Sequence, residues 1–169
     1  MTIGEYKRNK YCKDLYQDHY TNVFVFVQRR IEDENKTSAI VKEVFIQAFD
    51  DLLTNEIRDV SKLTHLYKIS TEMCDKSVEQ INTRYVHLSD EMTSDMLDQM
   101  GSISNRQSAI QKLKRLVNAL SLREIQLLEL RFSERTTFYD GGYILKISEQ
   151  MAKLKTYRLL GKMHHMINS

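Results

Sequence analysis

Proline and tryptophan are absent from this sequence of 169 residues, and only five glycines occur. Average usage would give about 8 prolines and about 12 glycines in a chain of this length. Since these two residues build most tight turns, their scarcity argues against a β-sandwich or a many-turned barrel. The 41% hydrophobic and 28% charged residues exclude wholesale disorder and are typical of a helical globular protein. We therefore expect an all-α fold.

The sequence also lacks the features of secreted, membrane-spanning and catalytic proteins. Its two cysteines, Cys12 and Cys74, are too few for a disulfide scaffold and match no metal-ligand spacing. The longest uninterrupted apolar run covers residues 23–27, whereas a transmembrane helix needs about 20 residues. No apolar signal peptide, phosphate-binding glycine loop, zinc-protease motif or nucleophile elbow occurs. We therefore expect a cytoplasmic protein without membrane insertion, not an enzyme, with no cofactor and no metal site.

The small net charge of +2 is the difference between two oppositely charged parts. Residues 1–100 carry 13 Lys and Arg against 18 Asp and Glu, a net charge of −5. Residues 101–169 carry 12 Lys and Arg against 5 Asp and Glu, a net charge of +7. Such a basic segment is typical of a region that binds the phosphate groups of a partner. A well-solvated basic helix has the same composition.

Apolar residues recur every three or four positions in the N-terminal part of the chain, which predicts three amphipathic helices. The repeats cover residues 16–31, 41–52 and 63–73, and the third could continue to Ile81. Residues 23–27 alternate valine and phenylalanine, and taken alone they favour a buried strand. Because the longer periodicity runs through them, we predict a helix there as well.

The periodicity stops between Arg84 and Asn105, where the sequence becomes polar, acidic and, around Gly101, rich in small residues. The charge changes sign over the same stretch. We therefore predict two small helical domains, residues 1–84 and 106–169, joined by a flexible acidic linker at residues 85–105.

The C-terminal part contains clear starting points for short helices. Ser121 and Glu124 have the spacing of a capping box, in which each side chain accepts from the other residue's backbone N–H. A short helix over residues 138–146 and a last helix after the N-cap Ser148 are separated by a tight turn. The last helix is predicted to pack through Ala152, Thr156, Leu159, Met163 and Met166. Its other side is basic.

This order of elements is typical of a helix-turn-helix whose second helix enters the major groove of DNA. Lysine and arginine on that helix can neutralise phosphates, and Gln150 and Arg158 have the bidentate geometry that reads adenine or guanine edges. An ordinary helical hairpin with a solvated basic face fits the pattern equally well.

Several segments together resemble a known family. Residues 120–132, LSLREIQLLELRF, and residues 144–149, ILKISE, resemble the C-terminal DNA-binding domain of bacterial sigma-70-family factors, in particular the small extracytoplasmic-function type. The N-terminal half agrees, since residues 41–49, VKEVFIQAF, are similar to the sigma-2 domain of that family. Residues 66–70, LYKIS, fall where that domain has its promoter-melting helix. The resemblance covers nearly the whole chain with the motifs in the same order.

The resemblance implies a dissociable subunit of core RNA polymerase that directs it to promoter DNA, commonly held by an anti-sigma factor. The sigma-2-like domain would contact the polymerase through Val41, Glu43, Val44 and Gln47. It would face the −10 element through Lys68, Thr71 and Lys76. The sigma-4-like domain would read the −35 element through Ser148, Gln150, Met151, Lys153, Lys155, Tyr157 and Arg158.

The chain departs from the family pattern at defined positions. Ser38 and Ala39 replace an acidic pair, and Thr71 and Glu72 replace the Arg-Asn pair of the melting helix, which removes cations from a surface meant for DNA. The pair at residues 141–142 is expected to loosen the first helix of the helix-turn-helix, because each glycine costs about 1 kcal/mol against alanine in a helix. The leading hypothesis is an alternative sigma factor. The alternative is a sigma-like regulator that acts through protein partners and a DNA-binding C-terminal domain without opening promoters, and a helical scaffold without a nucleic-acid role is a third.

Overall fold

The structure, a computed structural model, describes residues 1–54, 59–78 and 88–169. All regular secondary structure in these ranges is helical, which confirms the all-α prediction for them. The chain divides into two compact units, Met1–Thr83 and Arg84–Ser169. No helix within the described ranges has both the length and the apolar character needed to cross a bilayer.

The first unit is built from three helices that pack against one another: α1 (Ile3–Ile31), α2 (Glu34–Leu53) and α3 (Lys62–Val78). Residues 23–27 lie inside α1, so the helix prediction is confirmed there and the strand alternative is wrong. Val23, Phe26 and Val27 are fully buried while Val25 is exposed, which is the spacing of a helix face rather than the alternation of a strand. The suggested continuation of the third helix to Ile81 lies outside the described residues.

The second unit contains α4 (Asp90–Met100), α5 (Arg106–Val117), α6 (Leu122–Leu128), a π-helical segment (Glu129–Ser133), α7 (Phe138–Leu145) and α8 (Glu149–Asn168). The apolar sides of α4, α5, α6, the π-helical segment and α8 form one buried core. The largest fully buried side chains of this core are Met96, Leu97, Leu113, Leu128 and Met163.

The predicted linker is wrong for residues 90–100, because they form α4 and pack into this core. Ser89 caps α4 by accepting a hydrogen bond from the Met92 backbone N–H at 3.1 Å. Met92, Met96 and Leu97 follow at the spacing of one helix face and are buried. Acidic and hydroxyl residues outnumber these three in residues 90–100, and this polar composition hides the apolar stripe in the sequence.

The capping box predicted at Ser121 is confirmed. The Ser121 hydroxyl accepts from the Glu124 backbone N–H at 3.3 Å, and the Ser121 backbone N–H donates to Glu124 Oε2 at 2.8 Å. The bond from the Ser121 backbone N–H favours the charged carboxylate and holds the pKa of Glu124 below its ordinary value. This cap separates α5 from α6 and lets the chain turn without glycine or proline.

Candidate nucleic-acid interface

Helix α7, a three-residue turn and α8 form the helix-turn-helix segment of the second unit. Thr137 caps α7 by accepting from the Asp140 backbone N–H at 3.1 Å, and Ser148 caps α8 by accepting from the Met151 backbone N–H at 3.1 Å. Between them, Lys146 N–H donates to the Tyr143 carbonyl and Ile147 N–H to the Gly142 carbonyl, at 3.3 and 2.9 Å. This pair of bonds is a Schellman motif, which ends α7 sharply and fixes the direction in which α8 begins.

The Schellman motif requires a left-handed residue at Lys146, whose φ is 57° and ψ is 41°. For a residue with a Cβ atom this conformation costs about 1–2 kcal/mol, a cost that glycine avoids. The lysine at this position therefore leaves conformational strain in the turn.

Replacing Lys146 with glycine is expected to raise the free energy of unfolding of the second unit by about 1 kcal/mol, because the strain at positive φ is relieved. Thermal and urea unfolding of the full chain would measure the change. Lys146→Ala is the matched control, since it also removes the lysine side chain but keeps a Cβ atom at positive φ. Equal stability of the glycine and alanine variants would show that the turn is not strained at this residue.

The two adjacent glycines of α7 have different roles, which corrects the expectation that both loosen the helix. A Cβ atom on Gly142 would lie 2.7 Å from the carbonyl oxygen of Ile147 and 3.2 Å from the carbonyl carbon of Ser148. The turn backbone therefore packs directly on α7 at a place where only glycine fits. A Cβ atom on Gly141 would meet Thr136 Oγ1 at 3.5 Å, an ordinary contact. The turn therefore requires glycine at residue 142. Only Gly141 carries the predicted loss of helix stability relative to alanine.

One side of α8 packs on the core and the other is exposed. Ala152, Thr156, Leu159 and Met163 are buried as predicted, and the Thr156 hydroxyl donates to the Ala152 carbonyl at 2.8 Å. Met166 is the exception, because its side chain is 43% exposed and Ile167 is buried near the end of the helix instead. The buried set also includes Leu160, so the packing face is shifted slightly from the predicted one.

The residues predicted to contact DNA all lie on the exposed side of the helix-turn-helix segment. They are Ser148, Gln150, Met151, Lys153, Lys155, Tyr157 and Arg158. Within the described part of the chain, the cations Lys153, Lys155 and Arg158 form no ion pair with a carboxylate. Glu149 is the one acidic residue of α8. The exposed side therefore carries positive charge that the rest of the unit does not neutralise.

Helix α4 pairs with cations on other parts of the second unit. Asp90 accepts from Lys114 Nζ at 2.7 Å, and Asp98 accepts from Arg106 Nη1 at 2.9 Å. Arg135 bridges Glu91 and Asp95, at 2.6 and 3.3 Å. These carboxylates belong to the basic unit, so residues 84–169 carry 13 Lys and Arg against 9 Asp and Glu, a net charge of +4. The acidic helix lowers the net charge of the unit, and none of its ion pairs in the described part of the chain involves Lys153, Lys155 or Arg158.

Tyr157 is placed by contacts with the start of α7. Its ring lies 5.8 Å from the ring of Phe138, and the Arg131 guanidinium lies 4.5 Å above the same Phe138 ring. Tyr157 is 47% exposed, so about half of its surface remains available to a ligand. Sequence reasoning did not assign Arg131 or Phe138 to the site, because their approach to Tyr157 depends on how α7 packs against α8.

The residues predicted to contact the polymerase are divided between core and surface. Val41 and Val44 are buried in the first unit, with 1% and 0% exposure, so they cannot provide the predicted contact surface. Glu43 and Gln47 are exposed on α2, and Gln47 Nε2 donates to Asp51 Oδ1 at 2.8 Å. The residues of α2 that carry the family resemblance also include its buried face. Only the packing of the helices shows which of these residues are exposed.

The residues predicted to face the −10 element are divided in the same way. Thr71 is buried, and its hydroxyl donates to the Tyr67 carbonyl of the preceding helical turn at 2.8 Å, so it cannot reach DNA in this conformation. Lys68 is half-buried and Lys76 is exposed. The surface of α3 around Glu72 thus offers few cations for phosphate.

Comparison of the sequence with protein-family models and with curated proteins gives no match. Among the described residues, no group of three or more His, Cys, Asp and Glu side chains lies close enough together to hold a metal ion.

Proposed function

We propose that the second unit binds duplex DNA by placing α8 in the major groove. The observation that carries this proposal is the exposed side of α8, which follows a tightly fixed turn and presents cations without acidic partners. A helix with its side chains is about 10–12 Å in diameter, and the major groove is about 12 Å wide. The first turns of α8, from Gln150 to Arg158, would lie against the bases, as in other helix-turn-helix proteins.

For the whole chain, we propose the role of an alternative sigma factor that carries core RNA polymerase to promoters. Support comes from the order of the motifs along the chain and from the exposure of Glu43 and Gln47 on α2. In this proposal the first unit binds the polymerase through the exposed side of α2, and the second unit binds the −35 element through α8. The same proposal includes an anti-sigma factor as a partner that binds and covers these surfaces.

A second candidate is a sigma-like regulator that binds DNA and a protein partner without opening promoters. The burial of Thr71 and the presence of Glu72 favour it, because the α3 surface expected to bind the −10 strand is poor in available cations. Co-purification of the full chain with core polymerase, followed by run-off transcription, separates the two candidates. Transcription selects the sigma factor, whereas DNA binding without polymerase binding selects the regulator.

Replacing Lys153 with glutamine is expected to weaken binding to all duplexes alike, because it removes a phosphate contact. The magnitude of the negative slope of log K against log salt concentration should fall by about 0.9. Gln150→Ala should instead change the preference among sequences, by about 1–3 kcal/mol at the base pair it reads. Fluorescence anisotropy with labelled duplexes over a range of salt concentrations measures both effects.

Arg115→Gln is the matched control for Lys153→Gln, because Arg115 is an exposed cation on α5 outside the helix-turn-helix segment. Its salt slope should equal that of the wild-type chain. A uniform loss on every sequence for Gln150→Ala would count against base reading by this residue, and equal slopes for the Lys153 and Arg115 variants would contradict binding through α8.

A further inference from the structure

The side chains that point most directly away from the core form a row along α8 that is not basic throughout. Gln150, Leu154 and Arg158 are spaced four residues apart and therefore lie above one another on the helix surface. All three are exposed, and Leu154 has 42% of its surface accessible to solvent. Met151 lies beside them with 41% exposure. The middle of the row is apolar.

The lysines of α8 lie on both flanks of this row. With about 100° of rotation per residue, Lys153 falls on one side of Leu154, and Lys155 and Lys162 fall on the other. All three lysines are exposed. A helix in the major groove has bases beneath its central row and a phosphate backbone on each side. The row is uncharged at Gln150 and Leu154 and has lysines on both flanks, which fits this distribution of charge. A single phosphate chain would instead favour cations along the whole row.

The exposed 42% of the Leu154 surface gains no hydrophobic stabilisation in the free protein, and an apolar partner in a complex could bury it. The apolar group on the floor of the major groove is the C5-methyl of thymine, which no other unmodified DNA base carries there. The amide of Gln150, one turn earlier, can bond in a bidentate manner to adenine N6 and N7. Residues four apart rise about 6 Å along the helix, and base pairs are spaced about 3.4 Å apart. This rise corresponds to about two base-pair steps, so the two side chains can reach nearby A·T pairs.

We infer that α8 selects A·T base pairs, with Leu154 packing on a thymine C5-methyl group and Gln150 binding the adenine edge of a nearby pair. This inference rests on the proposed binding of α8 in the major groove and adds the class of base sequence that it reads. Met151 extends the apolar surface beside Leu154, and the flanking lysines contribute affinity without sequence preference.

The test compares duplexes that differ only in the methyl group. The full chain first selects 24-base-pair duplexes from a random library, and each selected duplex is then prepared with deoxyuridine in place of thymidine. Burial of one methyl group contributes about 0.8 kcal/mol, so the wild-type chain should bind the deoxyuridine duplex about fourfold more weakly for each methyl contacted. Leu154→Ala should bind both duplexes with nearly equal affinity.

Lys155→Gln is the control variant, and it should weaken binding to both duplexes by the same factor while keeping the discrimination between them. Leu154 is exposed and alanine is a strong helix former, so both variants should unfold at the wild-type temperature. Equal binding of thymidine and deoxyuridine duplexes by the wild-type chain would overturn the inference, as would full discrimination by Leu154→Ala. In both cases binding that depends on Lys153 would leave the proposed DNA function standing. Absence of salt-dependent binding to any duplex would instead overturn the proposed function, and the inference with it.

Discussion

Replacing Leu97 with alanine is expected to lower the free energy of unfolding of the second unit by about 2–5 kcal/mol. The Leu97 side chain has 0% exposure and belongs to the same core as Leu113, Leu128 and Met163. Truncation would remove buried methyl groups and leave a cavity that a packed core fills only in part. A loss of this size is a large fraction of the total stability of a small domain, which is about 5–15 kcal/mol.

Urea unfolding followed by far-UV circular dichroism would measure the loss, and amide hydrogen exchange would assign it to the second unit. Gln99→Ala is the matched control, because Gln99 is exposed on the same helix and its replacement should change stability by less than about 0.5 kcal/mol. If residues 85–105 were a flexible linker, the two variants would have the same free energy of unfolding. That result would show that α4 does not belong to the core.

Replacing Gly142 with alanine is expected to destabilise the second unit by about 1–3 kcal/mol and to weaken DNA binding at the same time. The new Cβ atom would lie 2.7 Å from the Ile147 carbonyl oxygen, which is backbone and cannot rotate away as a flexible side chain does. Relief of the clash requires the turn to move away from α7. Because α8 begins directly after this turn, the displacement would also change the orientation of α8 in the proposed complex with DNA.

Gly141→Ala is the control for this prediction, since it makes the same chemical change one residue earlier. Its Cβ atom has ordinary space beside Thr136, and alanine is favoured over glycine within a helix by about 1 kcal/mol, so the variant should be slightly more stable than wild type. Thermal unfolding and anisotropy titrations with the selected duplexes would compare the two variants. A stabilising effect at both positions would contradict the close packing of the turn on Gly142.

The binding predictions and the stability predictions concern different properties of the second unit. Leu154, Lys153 and Gln150 are exposed, so their replacement should change DNA binding with little effect on folding. Leu97 and Gly142 are buried, so their replacement should change folding first. Measuring unfolding and binding on each variant therefore separates a damaged interface from a damaged fold.

The sequence by itself was sufficient to predict the local structure, namely the helical class and two of the helix starts. The scarcity of proline and glycine and the spacing of apolar residues predicted an all-helical chain. The capping residues Ser121 and Ser148 predicted two helix starts that the structure contains. These features could be predicted because helix periodicity and capping depend on residues within about four positions of one another.

Only the tertiary structure decided which side chains are available at the surface. Resemblance alone assigned Val41, Val44 and Thr71 to predicted partner contacts, yet they are buried because α1, α2 and α3 pack together. The composition of residues 90–100 predicts a linker, yet Met92, Met96 and Leu97 are buried in the core of the second unit. In the sequence Gly142 predicts a weak helix, whereas in the structure the turn backbone packs against it. Burial, close approach and ion pairing depend on residues far apart in the chain, and the sequence pattern of one helix does not specify what covers it.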